Sequence, residues 1–383
     1  MRQLYFQEGK MIARIKSIIS LFTAIMLFVF SLCGFYGTEG TKNEYRTYKN
    51  VILMIGDGMG FNTVEATKNL HNIDSLPMES FPVHSQSKTR SASSEITDSA
   101  AGATALSCGV RTYNNAVGVY MFAPFAKKFN TPKSLTELAK ENGKSTGIVT
   151  TDKTSGATPA SFSAHSFIRQ YEPDISIDQM RSGLDLIWGS KSTSVTKLGC
   201  SLNGFSYITT ATQMNELKPG TRSFAQFNMD HFANVSNEDD NPCLVDMTKK
   251  AISLLNSNEN GFFLMVEAAH IDKFSHKNII EGSTAQVIEF NKAIQAAYDF
   301  ANQDGDTLVL VTADHETGGI TYNAETNEYY YTTKSHTGVN VPVYVSATDA
   351  GFISGEAYDN YQISIQLARV MGYDKSQYPA AKK

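Results

Sequence analysis

Asn50-Val-Ile-Leu-Met-Ile-Gly56 is an apolar run closed by a glycine. Polar and apolar positions do not alternate in it, so an extended chain would be buried on both faces. That is the pattern of a central strand in a parallel sheet. It recurs at residues 145–150 (Ser-Thr-Gly-Ile-Val-Thr), 262–266 and 307–312. Apolar residues spaced by three or four predict helices over residues 134–142, ending at Gly143, and over 244–256 and 285–302. Strand alternating with helix predicts an α/β fold: a doubly wound, mostly parallel central sheet with helices on both faces. Such sheets bind ligands beyond the carboxyl ends of their strands. Asp57, the stretch 150–158, Glu267, Asp314 and His315 fall just after those ends. Residues 171–243 carry Gly, Asn, Ser and Thr throughout and read as an irregular insertion or cap within a single domain of about residues 45–380.

The chain has 383 residues, 42% hydrophobic and 19% charged, enough for a sizeable core. A net charge of −5, with no Lys/Arg stripe interleaved with aromatics, argues against a nucleic-acid partner. Arg14 and Lys16 precede an apolar run from Ile18 to Cys33, then Gly34 and polar residues. This reads as a secretory leader over residues 1–40, with export to the periplasm or cell envelope expected. Residues 1–10 precede Met11, where such a leader would begin well, and read as a start-site artefact. Cys33 is a candidate for lipid attachment to a membrane, although Phe30-Ser31-Leu32 is a poor lipidation site. Cys108, in an Ala-rich stretch, reads as an inert core thiol, and Cys200 and Cys243 are a candidate pair in an oxidising compartment.

Thr97-Asp98-Ser99-Ala100-Ala101-Gly102-Ala103-Thr104 would place the Ser99 hydroxyl at the positive end of a helix dipole, where anions bind. Asp272 and His276 at i, i+4 would share one helix face, as metal ligands can. Alone, each motif has a plain alternative: a helix cap for Asp98-Ser99 or Asp57, a solvated helix face for Asp272/His276, a loop histidine for His336. Together, Asp57, Glu267/Asp272/His276, Asp314/His315 and His336 fit two or three divalent ions better than a series of coincidences. Histidine nitrogen and carboxylate oxygen suit Zn²⁺, whereas Asp57, Thr158 and Glu267 offer oxygen alone, which suits Mg²⁺. Arg169 reads equally as a bidentate phosphate partner or as a surface ion pair.

In family order over about residues 49–345, the blocks Val51…Gly60, Thr97…Thr104, Ala157-Thr158-Pro159 with Arg169, Glu267…Asp272-Lys273…His276, Thr312-Ala-Asp314-His315-Glu-Thr-Gly-Gly319 and His336-Thr-Gly338 resemble the alkaline phosphatase family. The resemblance implies hydrolysis of phosphate monoesters through a phosphoserine at Ser99. It implies one zinc held by Asp272, His276 and His336, and a second by Asp57, Asp314 and His315, joined by Ser99. It further implies Mg²⁺ shared by Asp57, Thr158 and Glu267, with Arg169 on the phosphate and Lys273 reaching it through water. A homodimer is implied as well. One departure stands out: many bacterial members carry an acid two residues before the magnesium threonine, and this chain has Gly156 there. The rival readings are a phosphodiesterase or sulfatase on the same metal core, and a non-catalytic anion-binding protein.

Overall fold

The protein is described by a computed structural model covering residues 45–121, 129–228 and 240–379. The expected leader, residues 1–10 read as a start-site artefact, and the lipidation candidate Cys33 lie outside the described residues. The strands are β1 (Asn50–Gly56), β2 (Val83–Lys88), β3 (Tyr120–Met121), β4 (Phe129–Asn130), β5 (Ser145–Lys153), β6 (Leu186–Ser190), β7 (Ser206–Ile208) and β8 (Ser223–Phe227). They continue as β9 (Phe262–Ala268), β10 (Thr307–Thr312), β11 (Glu316–Thr317), β12 (Ile320–Asn323), β13 (Glu328–Tyr331), β14 (His336–Thr337), β15 (Val341–Val345) and β16 (Ala357–Asp359). Ten of them form one sheet in the order β16-β2-β15-β10-β1-β9-β5-β6-β8-β7. From β10 to β7 every neighbouring pair is parallel; β15 runs antiparallel to both β10 and β2.

The four apolar runs are the four central strands, and their side chains divide between two cores with a period of two. Ile52, Met54, Leu264, Val266, Val309 and Val311 face one side, against Met247 and Ala251 of the helix Leu244–Leu255 and Val287, Phe290 and Ile294 of the helix Ile280–Asp304. Val51, Leu53, Ile55, Phe263, Met265, Leu308 and Leu310 face the other, against Leu135 and Leu138 of the helix Leu135–Glu141 and Ile363 and Leu367 of the helix Asn360–Val370. Burial of each such side chain contributes about 1.5–3 kcal/mol, so the positions of the strand ends are set by the core beneath them. Parallel register aligns Thr312, Ile55, Glu267 and Thr150 in one row across β10, β1, β9 and β5. The chemistry-bearing residues lie on or just beyond that row.

Residues 171–243 depart from the sequence expectation. Their described part is no irregular cap: it supplies β6, β7 and β8, with short helices between, and so builds the far edge of the sheet. The polar residues that obscured these strands are buried and paired. Ser223 Oγ accepts from Trp188 Nε1 at 2.9 Å, and Gln226 Nε2 donates to Thr154 Oγ1 while its Oε1 accepts from the Ser192 N–H. Cys200 and Cys243 are not bonded; all three described cysteines are free. Cys200 packs in the core on one sheet face, whereas Cys243 caps a helix that packs on the other and donates to Asp246. Cys108 is the inert core thiol expected, its pKa pushed up to about 12 by burial. Among the described residues no helix is long and apolar enough to cross a membrane.

Candidate active site

Ser99 is the first residue of the fully buried helix Ser99–Cys108. Asp98 is its N-cap, and Asp98 Oδ1 accepts the Ala101 N–H at 3.0 Å, which satisfies one of the free amides that open any helix. The other Asp98 oxygen accepts the Asn115 N–H at 3.0 Å and Arg169 Nη1 at 3.3 Å. One carboxylate therefore fixes the helix start and the half-buried Arg169 guanidinium together, on the residue next to Ser99. Ser99 Oγ lies 3.1 Å from His315 Nε2.

His315 belongs to two donor clusters. Asp57, Asp314 and His315 offer ligand atoms within 4.8 Å of one another, as do Asp272, His315 and His336. His315 Nε2 is 3.3 Å from Asp314 Oδ2 and 3.5 Å from Asp57 Oδ1. His276 Nε2 is 3.1 Å from His336 Nε2 and 3.3 Å from Asp272 Oδ1. The ring nitrogens facing away are held by the backbone: His276 Nδ1 by the Lys334 carbonyl and His336 Nδ1 by that of Thr97. The rings of His315 and His336 stack with centroids 3.5 Å apart. The approach of Asp272 to β1 depends on Gly58, whose φ is +74° and where a Cβ would sit 2.9 Å from the Asp272 Cα.

Thr158 and Glu267, the remaining oxygen donors named from the sequence, are both buried. Thr150 Oγ1 donates to Glu267 Oε2, its neighbour in the row across β5 and β9. The Lys273 ammonium pairs with Asp152 near the end of β5.

The electrostatics of this cluster call for cations. Burial, then the charges of Asp314, Asp272 and Glu267, hold the Asp57 carboxyl well above its ordinary range. Burial and Asp272 raise Asp314 to about 7, and burial and Asp152 raise Glu267 to about 8. Burial, then the neighbouring His336, pushes His315 far down, so its imidazole is neutral and can ligate. Asp57 Oδ1, Asp314 Oδ2 and Thr158 Oγ1 are buried with no hydrogen-bond partner. Unpartnered buried oxygens among crowded carboxylates are costly, and divalent ions would satisfy both the lone pairs and the charge. The donor set therefore fits metal.

Every site residue named from the sequence has a described position. Ser99, Asp57, Asp272, His276, Asp314, His315 and His336 converge, and Arg169 is anchored beside them through Asp98. Sequence reasoning missed one neighbour, Thr317, and gave no individual role to two others, Thr150 and Asp152, within the stretch 150–158 that it singled out. Thr317 Oγ1 donates to Asp272 Oδ1 at 2.5 Å and lies 3.2 Å from His315 Nδ1. Its place two residues from His315 was a signal, since both face one side of a short extended segment. The place of Thr150 and Asp152 at a strand end was legible, but their individual roles were not, because their partners are more than a hundred residues away.

Comparison with known proteins gives the family. The family model described as alkaline phosphatase matches residues 48–191 and 195–332. Alkaline phosphatase 4 of Bacillus subtilis is 36% identical over 304 residues, covering 74% of this chain and 64% of that protein. Alkaline phosphatase 3 of the same organism is 35% identical over 308 residues, covering 75% and 65%. The chain thus spans just under two thirds of the length of these relatives. The solved alkaline phosphatase from the Antarctic bacterium TAB5 superimposes with a TM-score of 0.73 at 29% identity, covering 87% of this chain and all of that one. With the motifs in order, the sheet in place and the donors converging at its strand ends, the chain belongs to the alkaline phosphatase family.

Proposed function

We propose that the protein hydrolyses phosphate monoesters through a covalent phosphoserine at Ser99. The observation that carries this reading is the Ser99 hydroxyl at a helix start, 3.1 Å from Nε2 of His315, the histidine shared by two histidine–carboxylate clusters. Asp272, His276 and His336 would hold one zinc, Asp57, Asp314 and His315 a second, and Asp57, Thr158 and Glu267 an Mg²⁺. A mutant of the TAB5 enzyme has been solved with Mg bound in a site called M3, which supports a magnesium site in this fold. Bound metal supplies Lewis acidity that lowers the pKa of an alcohol or water and stabilises a departing alkoxide.

The chain's own residues do the rest. Ser99 Oγ attacks phosphorus in line as the alcohol leaves on the opposite side, and water then cleaves the Ser99–phosphoryl bond, releasing inorganic phosphate. Asp98 fixes both the helix that presents Ser99 and the guanidinium of Arg169, which binds two phosphoryl oxygens. The helix dipole adds positive potential at the same point. Arg169 together with a third cation favours a dianionic monoester over a singly charged diester. An aryl monoester and the matching diester, compared on zinc- and magnesium-loaded protein, test the reading: the monoester should be the better substrate by about 10²-fold or more. Faster diester turnover would replace it with a phosphodiesterase. Zinc-loaded protein that turns over neither ester would make it an anion binder.

Three further proposals rest on the sequence: a catalytic domain of about residues 45–380, export through the leader with Cys33 as an optional lipid anchor, and a homodimer. Intact mass of the mature protein and sedimentation equilibrium test the last two.

A further inference from the structure

Lys273 follows a residue proposed as a zinc ligand, yet its ammonium is turned onto Asp152. Gly156 makes that pairing sterically feasible. A Cβ built on Gly156 would lie 2.3 Å from Asp152 Oδ2, 2.9 Å from its Cγ and 3.0 Å from the Lys153 carbonyl oxygen. The backbone at Gly156, with φ −55° and ψ 156°, is open to any L-residue. The glycine therefore leaves space for the Asp152 carboxylate in its present place and is not required for conformation.

Asp152 is also wired to the oxygen-only group. Its N–H donates to Thr150 Oγ1 at 2.8 Å, and Thr150 Oγ1 donates in turn to Glu267 Oε2. After Asp152, the carboxylates that act most strongly on the Lys273 ammonium are Glu267 and Asp57. These are two of the three residues proposed for Mg²⁺, and the third, Thr158, keeps a buried unpartnered hydroxyl oxygen. A lysine released from Asp152 would turn to Glu267 and Asp57 and neutralise them, in competition with a divalent cation.

We propose that Asp152 is a positioning residue: it holds the Lys273 ammonium off Glu267 and Asp57 and so keeps the Asp57/Thr158/Glu267 oxygens open to a divalent cation, with Gly156 supplying the space. This rests on the reading of those oxygens as a cation site. It also accounts for the departure from the family pattern: an acid at position 152 stands against the position where an acid would otherwise be carried.

The test is calorimetric titration of MgCl₂ into zinc-loaded full-length protein, with zinc content and far-UV circular dichroism checked first. Asp152→Asn should weaken Mg²⁺ binding by about 10–100-fold, the range for residues that orient metal ligands. The double variant Asp152→Asn/Lys273→Met should recover most of that loss, because no ammonium remains to compete. A purely structural role for Asp152 would not produce that recovery. Gly156→Ala changes no charge and should weaken binding in the same direction by displacing the Asp152 carboxylate. Unchanged Mg²⁺ affinity in Asp152→Asn or in Gly156→Ala, or a double variant no tighter than Asp152→Asn, would overturn the inference alone. Zinc-loaded wild-type protein that binds no Mg²⁺ would overturn the oxygen-site reading beneath it.

Discussion

The two halves of the parallel sheet are built alike and used differently. β10, β1, β9 and β5 end in a row from which Asp57, Thr158, Glu267, Asp314 and His315 are presented. β6, β8 and β7 continue the same parallel ladder and carry none of the proposed ligands. In the near half β1, β9 and β10 are largely apolar runs, and the unpartnered carboxylate oxygens of Asp57 and Asp314 follow the ends of β1 and β10. The far half spreads polar residues through its strands and satisfies them internally, as in Trp188–Ser223 and Gln226–Thr154. The buried carboxylate oxygens left unpartnered, on Asp57 and Asp314, mark the place for ligands; the paired polar groups of the far half are scaffold.

The sharpest way to break this contrast is in the near half. Ser99→Ala should lower aryl phosphate turnover by at least about 10³-fold while zinc content and fold persist; residual turnover near wild type would remove Ser99 from its role. Next in size is metal removal. Stripping the protein with a chelator should lower Tm by about 5 °C or more, because buried carboxylates lose their counterions, and zinc should restore it. A scan in which chelation leaves Tm unchanged would mean that the clusters do not hold metal. In the far half, Ser223→Ala leaves the buried Trp188 N–H without its partner. It should cost about 1–3 kcal/mol in denaturant unfolding, with turnover within about twofold of wild type. A large activity loss there would show that the far half does more than support. The smallest effect expected is from reducing agent: with Cys108, Cys200 and Cys243 free, dithiothreitol should leave the melting curve in place. A fall in Tm would reveal a disulfide.

The same contrast explains what could be read in the sequence. Asn50–Gly56 and its three counterparts were legible because burial on both faces favours apolar residues and leaves few polar ones in each run. The site was legible because Asp57, Asp314 and His315 follow those runs directly, and because Asp272 and His276 sit one helical turn apart. The far half was not. Leu186-Ile-Trp-Gly-Ser190 and Ser223-Phe-Ala-Gln-Phe227 have burial that depends on hydrogen bonds to residues far along the chain, and a local pattern cannot show that. The role of Asp152 failed to register for a related reason. Its meaning lies in Lys273 and in the missing side chain of Gly156, and neither is visible until the chain is folded.

The central claim is that Ser99 carries the phosphoryl group between substrate and water. Rapid acid quench of the metal-loaded protein during turnover of an aryl phosphate monoester, followed by peptide mass spectrometry, reads it directly. The account predicts a phosphoryl group on the peptide containing Ser99 and none on Ser99→Ala. Full turnover with no covalent label, or with the label on another residue, would contradict it.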